Sequence, residues 1–573
     1  MPATNPPFPD PYDPPPSFWR QHEAKLWALA VFGLTVVLTV MSFPPYRAWE
    51  FAYVFAAPAI LWAYFRPPLK LYIWTMFAAQ AVAWAIILGW LRHVTWAGPL
   101  LLAPFVGAWV GVWYLAAWWT MPRMIGQPTP VRVAAMLGLA GLWVLIEWSR
   151  TWLFGGFAWL PLAASQWQSA GIIQIAAFTG AWGVSFVLVA VNVGFAAYLH
   201  RLLGEGPALE RRRHRRLLGA DAGPEIDEIR DWGFRRRSQE FLLALFLLLV
   251  CLCVFLVEVQ PMVRFRLYNQ PLARVAFVQP DIPQSLKWDP NEAPGIVKIL
   301  EEQTLAAAIS RPDLILWPEA SAPVPVNRDP GMRRIVENLA ARTKIPLLIG
   351  SVAVEGEGDS EKWYNAAMLV EPEGGLQPNY YAKRNLVPFG EYVPLRPLLG
   401  WLSKIAPIPD GDFTPGTEPD PMVLGLRDGG AIALGPLVCY EDTYPQLARS
   451  SALAGSDALV VLTNDAWFGE GAAAYQHAAH SVLRAVETRR PVLRCGNGGW
   501  SGWIDEFGGI RGVLTGSDGS VYFRGTGVLG VMRDTRWIGR NSFYVEHGDW
   551  FVAVCAGLVL FGFALIRVGR SRV

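Results

Sequence analysis

Charge is scarce in this 573-residue chain: Asp, Glu, Lys and Arg make up only 17% of it, against about 25% in an ordinary soluble domain. So low a fraction, with 53% apolar residues and 28 tryptophans, excludes a disordered or fibrous protein and indicates a membrane protein. Neither sign of charge dominates. The 49 basic and 47 acidic residues leave a formal net charge of +2, which gives no electrostatic basis for a nucleic-acid partner. Cysteine is also sparse. Cys251, Cys253, Cys439, Cys495 and Cys555 are too few and too scattered for a disulfide framework, and none has zinc-ligand spacing. Free thiols, no metal and no other cofactor are expected.

What is abundant is the long apolar run. Residues 1–16 hold eight prolines, and 1–25 read as a Pro-rich disordered tail. Leu26 to Phe43 ends in Ser42, Phe43, Pro44, Pro45 without a small-x-small cleavage site, so it reads as a retained anchor. Runs near Trp49–Phe65, Leu71–Leu91, Leu100–Met121, Val133–Phe154, Ile172–Leu199, Phe241–Val257 and Trp550–Ile566 bring the expected transmembrane helices to eight. Seven fall within 26–259, interrupted by a basic loop at 200–238, and the eighth spans 550–567. One set of loops carries Arg20, Lys25, Arg66, Lys70, Arg123, Arg132, the run Arg201 to Arg237, and Arg567, Arg570 and Arg572. The alternate set carries little beyond Arg47, Arg92 and Arg150. Positive charge resists translocation, so both termini, including a tail at 568–573, are expected in the cytoplasm and the 260–549 segment on the outer side. The run Arg211 to Arg216 has two readings, a topology determinant or an anionic-lipid contact.

The outer segment alternates short strands with helical stretches. Ala273–Gln279, Leu314–Trp317, Leu347–Ser351, Ala366–Val370, Ile432–Val438, Ala458–Thr463 and Val492–Arg494 are strand-like, whereas Pro330–Thr343 and Tyr475–Thr488 have helical spacing. This predicts one α/β domain. Three strand ends carry chemistry: Glu319 after Leu314–Trp317, Lys383 after Tyr380 and Tyr381, and Cys439 after Ile432–Val438. A carboxylate, an ammonium and a thiol so placed form a candidate base, cation and nucleophile. Each alone has an ordinary surface or core explanation.

Trp317-Pro318-Glu319, Lys383 with Leu386 to Glu391, Cys439-Tyr440-Glu441, and Asn464-Asp465 with Trp467-Phe468-Gly469 resemble the Glu-Lys-Cys signature of the nitrilase, or carbon-nitrogen hydrolase, superfamily. Together with the expected spans, the outer loop Gly155 to Leu162, the stretch Val278 to Trp288 and the closing Tyr544 to Trp550, they resemble its membrane branch, the apolipoprotein N-acyltransferases. The resemblance implies an αββα sandwich outside the bilayer of a bacterial inner membrane, on the periplasmic side, and a monomer. It implies Glu319 as general base, Lys383 as oxyanion stabiliser and Cys439 as nucleophile, with Glu391, Tyr440 and Glu441 in support. Cys439 would take an acyl chain from a phospholipid as a thioester and pass it to the α-amino group of a diacylglyceryl-cysteine on an apolipoprotein, with ping-pong kinetics.

Candidate substrate-binding residues are Asn464, Trp467, Phe468, Trp159, Trp401 and Leu402. The apolar 398–405 stretch has two readings, a membrane-dipping arm or a short core helix. Cys495, Gly496 and Trp500 depart from the family's pattern around Asn497, Gly499 and Ser501, which leaves open a reshaped acyl pocket or a Cys439–Cys495 disulfide. His477 and His480 are assigned no catalytic role. Glu147 and Arg150, three residues apart, are expected to pair on a helix face, and Trp148, Trp152 and Trp159 to form an interfacial belt. Competing functions are a membrane-tethered amidase, in which water resolves the thioester, and a transporter with an outer binding domain.

Overall fold

The computed structural model describes residues 18–217, 238–260, 268–399, 412–426 and 429–570. Among them seven helices are long and apolar enough to cross a membrane: His22–Met41, Leu69–Ile87, Gly98–Met124, Thr129–Ser149, Ala181–Leu203, Gln239–Glu258 and Trp550–Val568. The run expected as the second span departs from this pattern. It folds as a 3-10 turn, Trp49–Tyr53, followed by an eight-residue helix, Ala57–Tyr64, about 12 Å long at 1.5 Å per residue against a hydrocarbon core of about 30 Å. Pro58 cannot sit inside a helix continuing from Tyr53, because it lacks an N–H and its ring collides with the preceding turn; Pro67 and Pro68 close the other end. The segment is nevertheless tied to neighbouring helices and loops toward both ends. Near one end the Trp49 carbonyl accepts from Gln166, whereas beyond the other Arg66 donates to the Pro122 carbonyl and the Pro67 carbonyl accepts from Trp118.

The expected Ile172–Leu199 span begins later, at Ala181, because Gly180 breaks the chain with φ of 67°; a Cβ there would lie 2.7 Å from the Tyr544 ring. The same helix runs on to Leu217 through part of the expected basic loop, since Leu, Ala, Glu and Arg in that run are good helix formers. Residues 218–237 lie outside the described residues, as do 1–17 and 571–573. The closing helix lies close against Thr129–Ser149 through glycines: a Cβ on Gly562 would meet the Ala134 carbonyl at 2.5 Å, and one on Gly141 the Cys555 carbonyl at 2.8 Å. Small residues give such contact in a membrane, where lipid removes the hydrophobic drive to pack.

The α/β segment contains two six-stranded sheets. The first has the order β12 (Gly525–Asp534), β1 (Asn269–Gln279), β2 (Leu314–Leu316), β3 (Leu347–Glu355), β4 (Lys362–Glu371), β5 (Gly375–Ala382). The second runs β11 (Ile510–Val513), β10 (Gly502–Ile504), β9 (Val492–Gly496), β8 (Ala458–Thr463), β7 (Ala431–Val438), β6 (Met422–Gly425). Strands β1, β2 and β3 are parallel, as are β7, β8 and β9, while the outer strands pair antiparallel. Alternation along each strand divides the core. Val275, Phe277, Leu316 and Leu348 join Leu434, Val438 and Leu462 of the second sheet, whereas Ala276, Ile315, Trp317 and Ile349 join Ile296, Leu300, Val336 and Leu339 of the helices Ala293–Ala308 and Pro330–Thr343. Period-two strands with both faces apolar require this layering.

Both ends of the segment are secured to the helical bundle. At its start, the Glu258 carbonyl accepts from Arg536 at 3.1 Å and its carboxylate lies 3.8 Å from Arg489. At its end, Asp549 accepts from the indoles of Trp148 and Trp182 at 3.2 and 2.8 Å and from the Tyr544 hydroxyl at 3.1 Å.

Candidate active site

The strand ends converge between the two sheets. Glu319 follows β2 through Trp317 and Pro318, and β3 passes directly beneath it: a Cβ on Gly350 would lie 2.2 Å from the Pro318 carbonyl. Glu319 is buried, its Oε1 accepting from Asn365 Nδ2 of β4 at 2.7 Å and lying 3.6 Å from Lys383 Nζ. Its Oε2 is buried with no hydrogen-bond partner among the described residues. Lys383 follows β5 and is held by Glu391 at 2.9 Å. Burial works against its charge, but Glu391 and Glu319 prevail and raise its pKa above the ordinary lysine value. Asn365 also donates to Glu391 Oε1 at 2.8 Å, so one amide spaces two carboxylates around one ammonium.

Cys439 ends β7 and opens the 3-10 turn Cys439–Thr443 with φ of 52°. That left-handed backbone is costly for a residue with a Cβ and projects the side chain out of the sheet. Burial pushes the thiol pKa well up, the Glu319 carboxylate pushes it further, and Lys383 pulls it down. The sulfur therefore rests as a thiol within electrostatic reach of both. Glu441 fixes the turn: Oε2 accepts from Val438 N at 2.7 Å and Tyr381 Oη at 2.8 Å, and Oε1 from Arg384 N at 2.7 Å and Asn385 N at 3.2 Å.

Tyr440 stacks on Trp159, with centroids 6.4 Å apart and planes at 18°. Trp159 is not an interfacial residue as expected; it is 1% exposed, packs against the rings of His477 and His480, and donates to Gln476. Of the expected belt, Trp148 and Trp152 contact each other, with Trp152 exposed. Phe468 meets Trp90 edge-on at 4.5 Å, and half-buried Trp467 shares its 3-10 turn at the seam with the helical bundle. Asn464 is a framework bridge, donating to Gln284 and accepting from Asn497. Trp401 and Leu402 lie outside the described residues. Cys495 is a free thiol directed at the Val278 and Leu316 carbonyls, and Trp500 is buried. Glu147 and Arg150 are joined through the backbone, the Arg150 N–H donating to the Glu147 carbonyl at 3.1 Å, but their side chains take other partners. Glu147 accepts from Leu162 N and Trp143 Nε1, and Arg150 donates to the Leu160 carbonyl, so the outer loop takes both groups.

Sequence reasoning missed three residues at this site. Lys287 is buried, and its Nζ donates to the Glu319 carbonyl at 2.9 Å. Burial brings its pKa down to about 8, against the opposing pull of Glu319 and Cys439. Asn365 lies just before the strand expected at Ala366–Val370 and falls inside β4 only in the structure. His477 approaches the Cys439 carbonyl at 3.2 Å. Only its spacing on a helix following the Trp467-Phe468 stretch marked it.

Comparison with known proteins gives two family matches: the apolipoprotein N-acyltransferase N-terminal domain over residues 35–194 and carbon-nitrogen hydrolase over residues 274–543. Apolipoprotein N-acyltransferase from Geobacter metallireducens is 33% identical, covering 91% of this chain and 92% of that protein. The protein of the same name from Methylococcus capsulatus is 30% identical, covering 82% of this chain and 80% of its own. Among solved structures, an amidase from Nesterenkonia sp. aligns at 20% identity over 50% of this chain and 98% of that one, with a TM-score of 0.35.

Proposed function

This chain belongs to the apolipoprotein N-acyltransferase family and is a lipoprotein N-acyltransferase, and on that premise we propose that Cys439 carries the acyl group between donor and acceptor. The observation that carries this reading is a buried thiol within electrostatic reach of Lys383 and of a Glu319 carboxylate whose Oε2 has no hydrogen-bond partner among the described residues. A thiol at rest needs its proton removed as it attacks, and Glu319 Oε2 is the group free to take it. Sulfur adds to an ester carbonyl of a phospholipid, the ester C–O bond breaks, and Glu319 returns the proton to the departing lysophospholipid. A thioester remains. The developing oxyanion is met by Lys383 Nζ, joined by the Tyr440 N–H at the start of the turn, a preorganised contribution of a few kcal/mol.

In the second half-reaction the α-amine of a diacylglyceryl-cysteine adds to the thioester, Glu319 takes the amine's proton, and the C–S bond breaks to give an amide and the Cys439 thiol. Glu391, Asn365 and Lys287 serve this cycle by holding Lys383 and Glu319 in register. Trp467 and Phe468, at the seam with the helices, are the proposed contacts for acyl chains. The proposed arrangement has eight crossings, the second being the broken Trp49–Tyr64 segment, both termini cytoplasmic and the catalytic segment on the periplasmic side of the inner membrane. Support comes from the Lys and Arg asymmetry of the loops.

The test is reconstitution of the full chain with phosphatidylethanolamine and a diacylated lipopeptide, followed by mass measurement. The expected result is a one-acyl gain on the peptide, an acylated Cys439 peptide when acceptor is withheld, and neither with Cys439→Ala. Free fatty acid without peptide gain overturns transfer in favour of hydrolysis.

A further inference from the structure

Two adjacent residues on the helix Ala472–Thr488 connect Cys439 with the membrane helices. Gln476 uses all four hydrogen bonds that its amide can make: Oε1 accepts from the indoles of Trp90 and Trp159, both at 3.0 Å, and Nε2 donates to the carbonyls of Pro44 at 3.1 Å and Ile87 at 3.0 Å. Indoles only donate and carbonyls only accept, so the amide has one orientation. Its partners come from the ends of two membrane helices and from the outer loop.

His477, next along, is enclosed by acceptors. Nδ1 lies 2.8 Å from Asp465 Oδ1, and Nε2 lies 2.9 Å from Asp442 Oδ1 and 3.2 Å from the Cys439 carbonyl. Among the described residues no donor faces either nitrogen, an arrangement that calls for hydrogen on both and so for an imidazolium. Arg494 pairs with the same carboxylates at 2.9 and 3.1 Å, so two cations and two anions balance in a cluster excluded from solvent. His480, one turn on, is the contrast. It accepts the Leu160 N–H at Nε2, and burial keeps it neutral by pushing its pKa well below the ordinary value.

Resting on the reading of Cys439 as nucleophile, we propose that His477 is a positioning residue: its imidazolium grips the Cys439 carbonyl, holds the strained turn that aims the sulfur, and through Gln476 ties that geometry to the membrane loops. The titratable and charged groups around His477 are Asp442, Asp465, Arg494 and His480. Burial and Arg494 oppose its charge, yet Asp442 and Asp465 hold its pKa up at about 8. Loss of that proton turns one N–H into a lone pair facing an oxygen and loosens the turn.

The experiment is single-turnover thioester formation by the full chain in phosphatidylethanolamine vesicles, followed from pH 6 to 9.5 by mass of the Cys439 peptide. Wild type is expected to slow above about pH 8. H477Q is expected to be about 100-fold slower at pH 7, the scale of a 1 Å misplacement, and to lack that decline. Lys287 also titrates near 8, so K287M is the control and is expected to keep the decline. The proposal is overturned if wild type shows no decline, if K287M abolishes it, or if folded H477Q keeps the wild-type profile or a rate within threefold. Should H477Q not fold, the charge-balanced H477Q/D442N variant is judged by the same criteria. Should both variants fail to fold, the wild-type and K287M profiles decide. If wild type forms no thioester, or Cys439→Ala still forms product, the nucleophile reading fails instead, a result distinguishable from all of these.

Discussion

Replacing Glu441 by Gln removes one charge and exchanges one oxygen for an NH2 group, without change of shape. The carboxylate accepts four hydrogen bonds, from Val438 N, Tyr381 Oη, Arg384 N and Asn385 N. If the amide nitrogen takes the Oε1 position it faces two backbone N–H groups. In the Oε2 position it faces one, Val438, beside a Tyr381 hydroxyl able to turn and accept, so this is the orientation expected. Even there one charge-assisted bond worth about 1.5–3 kcal/mol is lost and the Val438 N–H is left buried against another donor at a further cost of about 1–3 kcal/mol. The sum, about 4 kcal/mol, corresponds to a fall in Tm of roughly 8–16 °C at about 2–4 °C per kcal/mol for a domain of this size. Because Val438 immediately precedes Cys439, the proposed nucleophile, thioester formation should slow about 100-fold as well. Thermal unfolding in detergent by tryptophan fluorescence, alongside mass detection of the acyl-enzyme, measures both. A variant melting within 2 °C of wild type and acylating within twofold of its rate would refute the assignment of Glu441 as the clamp of this turn.

Asn365→Leu deletes the amide between Glu319 and Glu391, and thioester formation should fall by about two orders of magnitude while the extent of Cys439 alkylation by a small reagent persists; full turnover would contradict the spacing role. Lys287→Met leaves the Glu319 carbonyl without its donor and removes a cation near the reacting groups. Acylation at pH 7 should drop roughly tenfold, the scale of about 1.4 kcal/mol, and an unchanged rate would remove Lys287 from the machinery. His477 has a folded pKa of about 8 against an ordinary 6.5, so its protonation stabilises the fold by roughly 2 kcal/mol. The sign is fixed: that contribution is complete below about pH 6.5 and lost as pH rises through 8. Melting temperatures between pH 6 and 8.5 should therefore fall in wild type, and that component should be missing in H477Q.

The proposed catalytic trio stands out in the sequence because each member follows a strand, at a point where the apolar alternation stops. The layered core was equally legible from the runs that became β1, β2, β3, β7 and β8. Lys287 and Asn365 were not, since burial beside Glu319 is decided by a fold that joins positions 32 and 46 residues apart. His477 looked structural for a related reason: its charge depends on Asp442 and Asp465, 35 and 12 residues away. Hydropathy reads the Trp49–Phe65 run as one unbroken element because a window sum is blind to where Pro58 falls. Trp159 is indistinguishable in sequence from Trp152, and only packing separates a residue under Tyr440 from one facing outward.

The α/β segment is moored to the helices at both its ends, through Glu258 and through Asp549. On the proposed reading, donor and acceptor are both lipid-borne and both reach Cys439 along the same film of lipid. Throughput then answers to how densely that film is populated, and dilution of the surrounding liquid leaves it unchanged.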